Sequence, residues 1–403
     1  MILSISRDER LNRLFTRQVI AVYIIVFMIV HILPTLKYNI PYIVMGLFAL
    51  LPVVIMCVEN AVMCRVLVIV AFAGLIKGIL AATLGNAPMA EVVNEPIRGL
   101  RYFVPCLLLI WTLDMPRGYR QVIWWIITGL LLVIAVRTLI AVEINPMIAR
   151  ELASGEASSE LIGYRNQNIG GFEFCYAVCI LFAMCMYLAM KAKKAVRIMA
   201  IAAVIFIAYF TIQVQYMTML LLCIAAFILV VVHCAQNRAS KVLAVFFSAF
   251  LLFALPPLLR WLAELDLGDQ IYKKLINVAS VLDGTREMDE ATSRARLYWN
   301  AFVDFASSPI WGVPNSVAAQ DSHSTFLGTA ASTGLIGLAA YSYGIVQSYK
   351  QTLKTMTENQ TRTGIYTVTF VTFLILAFVN PVHYAYEISI MLLYYIPLTL
   401  ILV

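Results

Sequence analysis

Charged side chains are scarce in this chain: they make up 13% of its 403 residues, while 62% are hydrophobic. A water-soluble domain carries about twice that share of charge, so the composition excludes an ordinary soluble enzyme and belongs to the bilayer class. Polar cysteine sites are also missing. Cys57, Cys64, Cys106, Cys175, Cys179, Cys185, Cys223 and Cys234 all lie in or beside apolar runs, and the longest hydrophilic stretch has none. Without metal-ligand or redox spacing they read as buried thiols, and no disulfide is expected. No phosphate-cradling Gly-rich loop, HExxH or nucleophile elbow occurs, nor a filter-like sequence or a pair of broken helices. A cleavable leader is not evident, because MILSISRDERLNRLFTRQ is polar and basic and the apolar run after it is long enough to span. The net charge of +7 gives no reason to expect nucleic acid, since a basic excess in a membrane protein gathers in its cytoplasmic loops.

What the chain does have is apolar runs near the length of a bilayer-spanning helix. They fall at roughly 18–35, 40–58, 66–85, 99–114, 121–143, 169–190, 196–213, 215–233, 241–258, 325–346, 364–381 and 386–403. The seventh and eighth are also readable as one hairpin interrupted at Gln213 and Gln215. The expectation is an all-α polytopic membrane protein of about twelve transmembrane helices. Helices 1–9 occupy 1–258, a large, partly helical outer loop 259–324, and helices 10–12 the remainder, 325–403.

Lys and Arg divide sixteen to five between alternate connecting segments. The poorer set is Lys37, Arg98, Arg101, Arg150 and Arg165; the richer begins with Arg7, Arg10, Arg13 and Arg17. The positive-inside rule then puts both termini in the cytoplasm and the large loop outside. That loop holds two amphipathic stretches, WLAELDLGDQIYKKLINVASVLDG and SRARLYWNAFVDFASS, the second closed by Pro309, Gly312 and Pro314. Loops this long with patterning of their own are usually functional.

Candidate chemistry collects on the outer side. His323, flanked by Asp321, Ser322 and Ser324, opens a helix whose cap and nearby carboxylate can orient an imidazole. The plainer alternative is an interfacial histidine satisfied by its neighbours. Arg294 and Arg296 offer donor forks that suit phosphate oxygens, or else pair with Asp289 and Glu290. In GYRNQNIGGFEF, Arg165 and Asn168 suit phosphate or sugar hydroxyls, although the segment also reads as a plain turn. Glu173 lies about one turn into a span, where a carboxylate needs a cation or a polar cavity. Lys77 and Arg137 carry the same requirement and are expected either to line one cavity with Glu173 or to form structural pairs. His383 lies in the last outer loop.

These residues resemble the O-antigen polymerase and O-antigen ligase superfamily of bacterial envelope glycan enzymes. The pattern is S-R-A-R-L-Y-W-N-A-F-V-D-F-A-S-S-P-I-W-G-V followed by D-S-H-S-T-F-L-G-T-A-A-S-T-G-L-I-G-L. Its spacing matches the family's loop arginine to Arg294, with Tyr298 and Pro309, and the family's histidine to His323. The resemblance implies a glycosyltransferase of the bacterial cytoplasmic membrane, with Arg294 and His323 catalytic and with no metal or cofactor. It implies an undecaprenyl-diphosphate-linked oligosaccharide as donor, and membrane lipids and a chain-length regulator protein as further partners. The sequence departs from the pattern between spans seven and eight, where Gln215, Tyr216 and Met217 stand in place of an arginine. Gln215 and Tyr216 join the substrate-binding candidates, and the second charge must come from Arg165 first, then Arg137 or Arg101. This departure favours a polymerase over a ligase acting on lipid A-core; a lipid-linked oligosaccharide flippase is the rival from another class.

Overall fold

The computed structural model describes residues 7–403 apart from 57–59, 86, 146–147, 149–150, 153–162, 165, 215, 236–237, 266–271, 274, 277–278, 281–288, 315, 317–322, 357–358 and 383–384. Each apolar run coincides with a helix, and no strand occurs among the described residues. In chain order the helices are α1 (Arg7–Ile32), α2 (Pro34–Asn39), α3 (Tyr42–Met56), α4 (Ala61–Leu84), α5 (Glu91–Leu113), α6 (Arg117–Ile144) and α7 (Phe172–Lys191). There follow α8 (Lys194–Val214), α9 (Met217–Cys234), α10 (Arg238–Ala263), α11 (Asp289–Ser307), α12 (Thr325–Lys354), α13 (Gln360–Val379) and α14 (Tyr386–Leu402). The last contains a π-helical turn over Met391–Tyr395. The seventh and eighth apolar runs are thus separate helices, α8 and α9.

Among the described residues six helices, α4, α5, α6, α7, α8 and α13, are long and apolar enough to cross a membrane. Shorter apolar stretches lie in α1, α3, α9 and α14. The chain is an all-α protein of multi-pass membrane type. Its outer helices carry aliphatic and aromatic side chains outward, among them Val68 and Phe72 on α4, Leu132 on α6 and Ile205 on α8. A helix that is apolar all round belongs in a protein core or a bilayer, and these are not in the core.

The interior is built from α5, α7 and α14, in which long unbroken runs of residues are buried. In lipid there is no hydrophobic drive between helices, so close packing and cross-helix hydrogen bonds hold them. Tyr394 on α14 shares a hydrogen bond with Thr112 on α5 at 2.7 Å. Trp124 Nε1 on α6 donates to Thr399 at 2.8 Å, and Tyr395 pairs with Thr128 at the same distance. Ser389 donates to the Tyr102 carbonyl of α5. Seven of the cysteines are free thiols and six of those are buried, with Cys179 and Cys223 in sulfur contact at 3.6 Å; Cys57 lies outside the described residues.

The second amphipathic stretch of the large loop is helix α11, as its pattern predicts. Most of the first stretch lies outside the described residues, although Ala279 and Leu275 pack on Leu255 and Leu259 of α10. After α11 the backbone does something no local pattern announces. α12 is interrupted at Gly334 (φ 61°, ψ −159°), and the segment 309–313 is hydrogen-bonded into the gap. Val313 N–H donates to Ala331 O at 2.7 Å and Leu335 N–H to Pro309 O at 2.8 Å. Backbone groups freed inside an apolar region must find such partners. The two glycines at the crossing, Gly312 (φ 75°) and Gly334, are each in the left-handed half of conformational space. A Cβ on Gly334 would lie 2.3 Å from the Ile310 carbonyl. The S-P-I-W-G and G-L-I-G pieces of the motif are therefore two halves of one joint, which ties α11 to α12.

Gly334→Ala combines that overlap with a glycine-only conformation, a cost of about 1–3 kcal/mol or more. It is expected to lower the thermal midpoint of the detergent-solubilised protein. Gly129→Ala, whose Cβ would meet nothing within 4 Å, is expected to leave the midpoint unchanged.

Candidate active site

The site begins where α1 ends. Pro34 opens α2 at its first position, where a missing N–H costs nothing and φ is already helical. The short helix is held by the turn that precedes α7. Asn168, at φ 58°, accepts from Thr35 N–H at 3.0 Å and from the Thr35 hydroxyl at 2.6 Å. Asn39 donates to the Asn166 side chain at 2.8 Å. Asparagine tolerates this left-handed geometry better than other non-glycine residues. The N-Q-N-I-G-G segment thus serves as a clamp on α2, which gives the Asn166 and Asn168 side chains a structural role.

What the clamp positions is Lys37. Its ammonium lies 2.5 Å from Glu173 Oε2 in the first turn of α7, and 2.9 and 3.0 Å from the two oxygens of Glu387 in the first turn of α14. The three side chains are 11%, 21% and 7% exposed, so this cluster is largely withdrawn from solvent. Arg101, on α5, is buried to 2% and stacks its guanidinium 3.9 Å over the Tyr386 ring, next in sequence to Glu387. Two cations and two carboxylates balance. Balance is required, because an uncompensated charge at such a place costs several kcal/mol.

His31 completes the group. It is fully buried, stacked on Phe27 at 4.0 Å and edge-on to Tyr386 at 5.8 Å. Its Nδ1 lies 2.9 Å from the Phe27 carbonyl. A carbonyl can only accept, so in this contact Nδ1 is the donor. Nε2 has no hydrogen-bond partner among the described residues.

The helix that His323 opens is fastened to the same region. Ser324 caps α12, accepting from Leu327 N–H at 3.4 Å. Thr325 donates to the Asn380 carbonyl from both N–H, at 3.1 Å, and hydroxyl, at 2.8 Å. Val382 N–H in turn donates to the Thr325 hydroxyl oxygen at 2.7 Å. Tyr176, one turn below Glu173, donates to the Asn380 side chain at 3.1 Å. His323 itself is exposed and left-handed (φ 47°), directly ahead of this knot.

Of the residues singled out in the sequence, the structure brings Glu173 and Asn168 to this cluster and leaves His323 two residues from its tether. Arg294 is on α11, with its side chain outside the described residues; Arg296 is on the same helix and exposed. Arg165, Gln215 and His383 lie outside the described residues. Tyr216 is half-buried, its ring 6.0 Å from that of Tyr176. Arg137 is exposed on α6, and Lys77 pairs with Glu95 on α5 at 2.9 Å. Lys77 and Glu173 thus form structural ion pairs with different partners, Glu95 and Lys37, while Arg137 is exposed. Sequence reasoning passed over His31, Lys37, Tyr386 and Glu387. The rule that singled out Glu173, an ionisable group at the end of an apolar run, applies equally to His31 and Glu387.

Lys37→Met would leave Glu173 and Glu387 facing each other without their cation. The expected loss is about 3 kcal/mol or more, read as a lower unfolding midpoint. Glu173→Gln is expected to cost less, because Lys37 keeps both bonds to Glu387. Equal midpoints for the two variants would contradict the bridging role of Lys37. Comparison with protein-family models and with curated proteins finds no match for this chain.

Proposed function

We propose that the protein is a glycan polymerase of a bacterial cytoplasmic membrane, with about twelve spans, both termini inside, and the 259–324 loop outside. It transfers an undecaprenyl-diphosphate-linked oligosaccharide onto a sugar hydroxyl of a second lipid-linked repeat unit. The observation that carries this reading is the joining of three elements. A charge-balanced cluster gathers Lys37, Arg101, Glu173 and Glu387 at helix ends. The His323 helix is tied to that region through Thr325 and Asn380, and the Arg294 helix is tied to the His323 helix at Gly334.

In the reaction the acceptor oxygen bonds to the anomeric carbon as the bond from that carbon to the diphosphate oxygen breaks. The lipid diphosphate leaves with the electron pair, and the acceptor proton passes to His323 as general base. Arg294 holds the diphosphate through its donor fork. For the second charge, Arg101 is a better choice than Arg165 or Arg137. It is buried beside the cluster, where a cation acts with little screening. Glu173 and Glu387 keep Lys37 and Arg101 compensated until an anionic substrate takes their place.

A transporter is the second reading, favoured by the interruption of α12 at Gly334, since broken helices recur at transport sites. It gives no reason for a base at His323. His323→Ala is expected to abolish chain extension in cells while single repeat units still accumulate and the protein still inserts. Arg294→Lys is expected to cut extension by about 10² or more, because a point charge replaces the fork poorly. Polymer of normal length from His323→Ala would overturn the assignment.

A further inference from the structure

The joint between the 309–313 segment and α12 can be given a depth relative to α4. Ser332, Thr333 and Gly337 of α12 line one small cavity with Ala73, Gly74 and Lys77 of α4. Further along α12, Ile336, Ala339 and Tyr343 line a groove with Val68, Ile69 and Phe72. The two helices therefore run antiparallel, and the break at Gly334 is level with the Ala73–Lys77 stretch. α4 runs from Ala61 to Leu84, with its midpoint between Phe72 and Ala73, and it is long and apolar enough to cross a membrane. Its 24 residues extend about 36 Å, against a hydrocarbon core of about 30 Å. A helix that exceeds the core so little can slide along the bilayer normal by only about 6 Å, or roughly four residues. Wherever α4 is seated within that range, the joint lies at least about 5 Å inside the hydrocarbon boundary.

The chain reaches this depth and turns back. Leu335 N–H donates to Pro309 O, and Val313 N–H to Ala331 O, so from 309 to 313 the backbone climbs toward the start of α12. Ser316 is buried and donates to the Asp304 carboxylate, which sets the climbing chain beside the last turns of α11. α11 thus comes in from the end of α12 to which the chain returns. Between Leu297 and Val313 the only charged residue is Asp304, and its bond to Ser316 turns it toward protein. The side chains at the turn are apolar and open: Ile310 is 55% exposed, Trp311 49%, and Leu335 across the joint 52%. Further back on α11, Trp299, Phe302 and Val303 are exposed along one side, with Arg296 exposed one turn before them. Indole rings favour the membrane–water boundary, and arginine the headgroups beyond it.

We infer that the segment between α10 and α12 is re-entrant. α11 slopes in from the face at which α12 begins, the 309–313 turn lies within the hydrocarbon, and the chain climbs back to His323. Its partner is the lipid tails, which cover Ile310 and Trp311 as they cover the outward side chains of α4. Non-helical backbone is tolerated at that depth only where protein satisfies it, and the hydrogen bonds into the gap at Gly334 do so. The face is continuous at Leu335 with the apolar exterior of α12, so one medium meets both. The inference rests on the depth of the joint and not on the transferase reading.

The test is the surroundings of the turn in the full-length protein, reconstituted into phospholipid vesicles. A nitroxide label is attached to Trp311→Cys, Ile310→Cys and Arg296→Cys, and wild type carried through the same labelling gives the signal of the native thiols for subtraction. Relaxation by oxygen, which concentrates in hydrocarbon, is compared with relaxation by a water-soluble nickel chelate. The oxygen-to-nickel ratio at 310 and 311 is expected to exceed that at 296 several-fold. Trp311→Phe, which keeps a ring at the turn, is expected to reduce the quenching of intrinsic fluorescence by acyl-chain-brominated lipid. Nickel-dominated relaxation at 310 and 311 would overturn the inference. So would labels shielded from both agents, as under a second copy of the chain, or equal lipid quenching of wild type and Trp311→Phe.

Discussion

Lys37 draws together two carboxylates that are 136 and 350 residues away in the chain. The rest of the central architecture follows from the need to keep that ammonium compensated. An ion cluster in an apolar interior is unforgiving: removing one member leaves a charge that neither water nor lipid can solvate. So α2 must be held in register, which the Asn168 turn does, and α7 and α14 must begin at the same level, which the Glu173 and Glu387 contacts require. Arg101 and His31 then pack around Tyr386 because the space between those helix ends is already defined.

The second constraint is backbone satisfaction. In α12 an interruption at Gly334 exposes peptide groups within an apolar bundle, and the 309–313 segment supplies their partners. The exchange works in both directions, since the loop segment gains fixed geometry from a rigid helix. As a result the segment between α10 and α12 is not an independent appendage. Its helix α11 is anchored at one end to α12, and α12 is anchored through Thr325 to the segment that leads into Glu387.

Much of the helical layout was legible in the sequence. The run at 169–190 became Phe172–Lys191 and that at 121–143 became Arg117–Ile144, because an apolar stretch of spanning length has few other solutions. The errors have physical causes. α5 starts at Glu91 rather than near 99, since Glu91, Glu95 and Arg98 look like loop residues until Lys77 and their mutual pairing neutralise them. The partner of Glu173 could not be read locally, because charge complementarity across so many residues has no periodicity to betray it. The glycines of the motif were visible as letters, but their role as the two sides of one backbone crossing was not.

The functional claim stands on the cluster, the tethered His323 and the anchored Arg294 helix acting as one transferase centre. The most direct measurement is to mix the purified wild-type protein in detergent, with no bilayer present, with a synthetic undecaprenyl-diphosphate-linked oligosaccharide repeat. Products are then resolved by length. The account predicts a ladder of lengthening polymer with release of undecaprenyl diphosphate. Unchanged substrate in detergent, together with movement of the same lipid between leaflets when the protein is placed in vesicles, would contradict it.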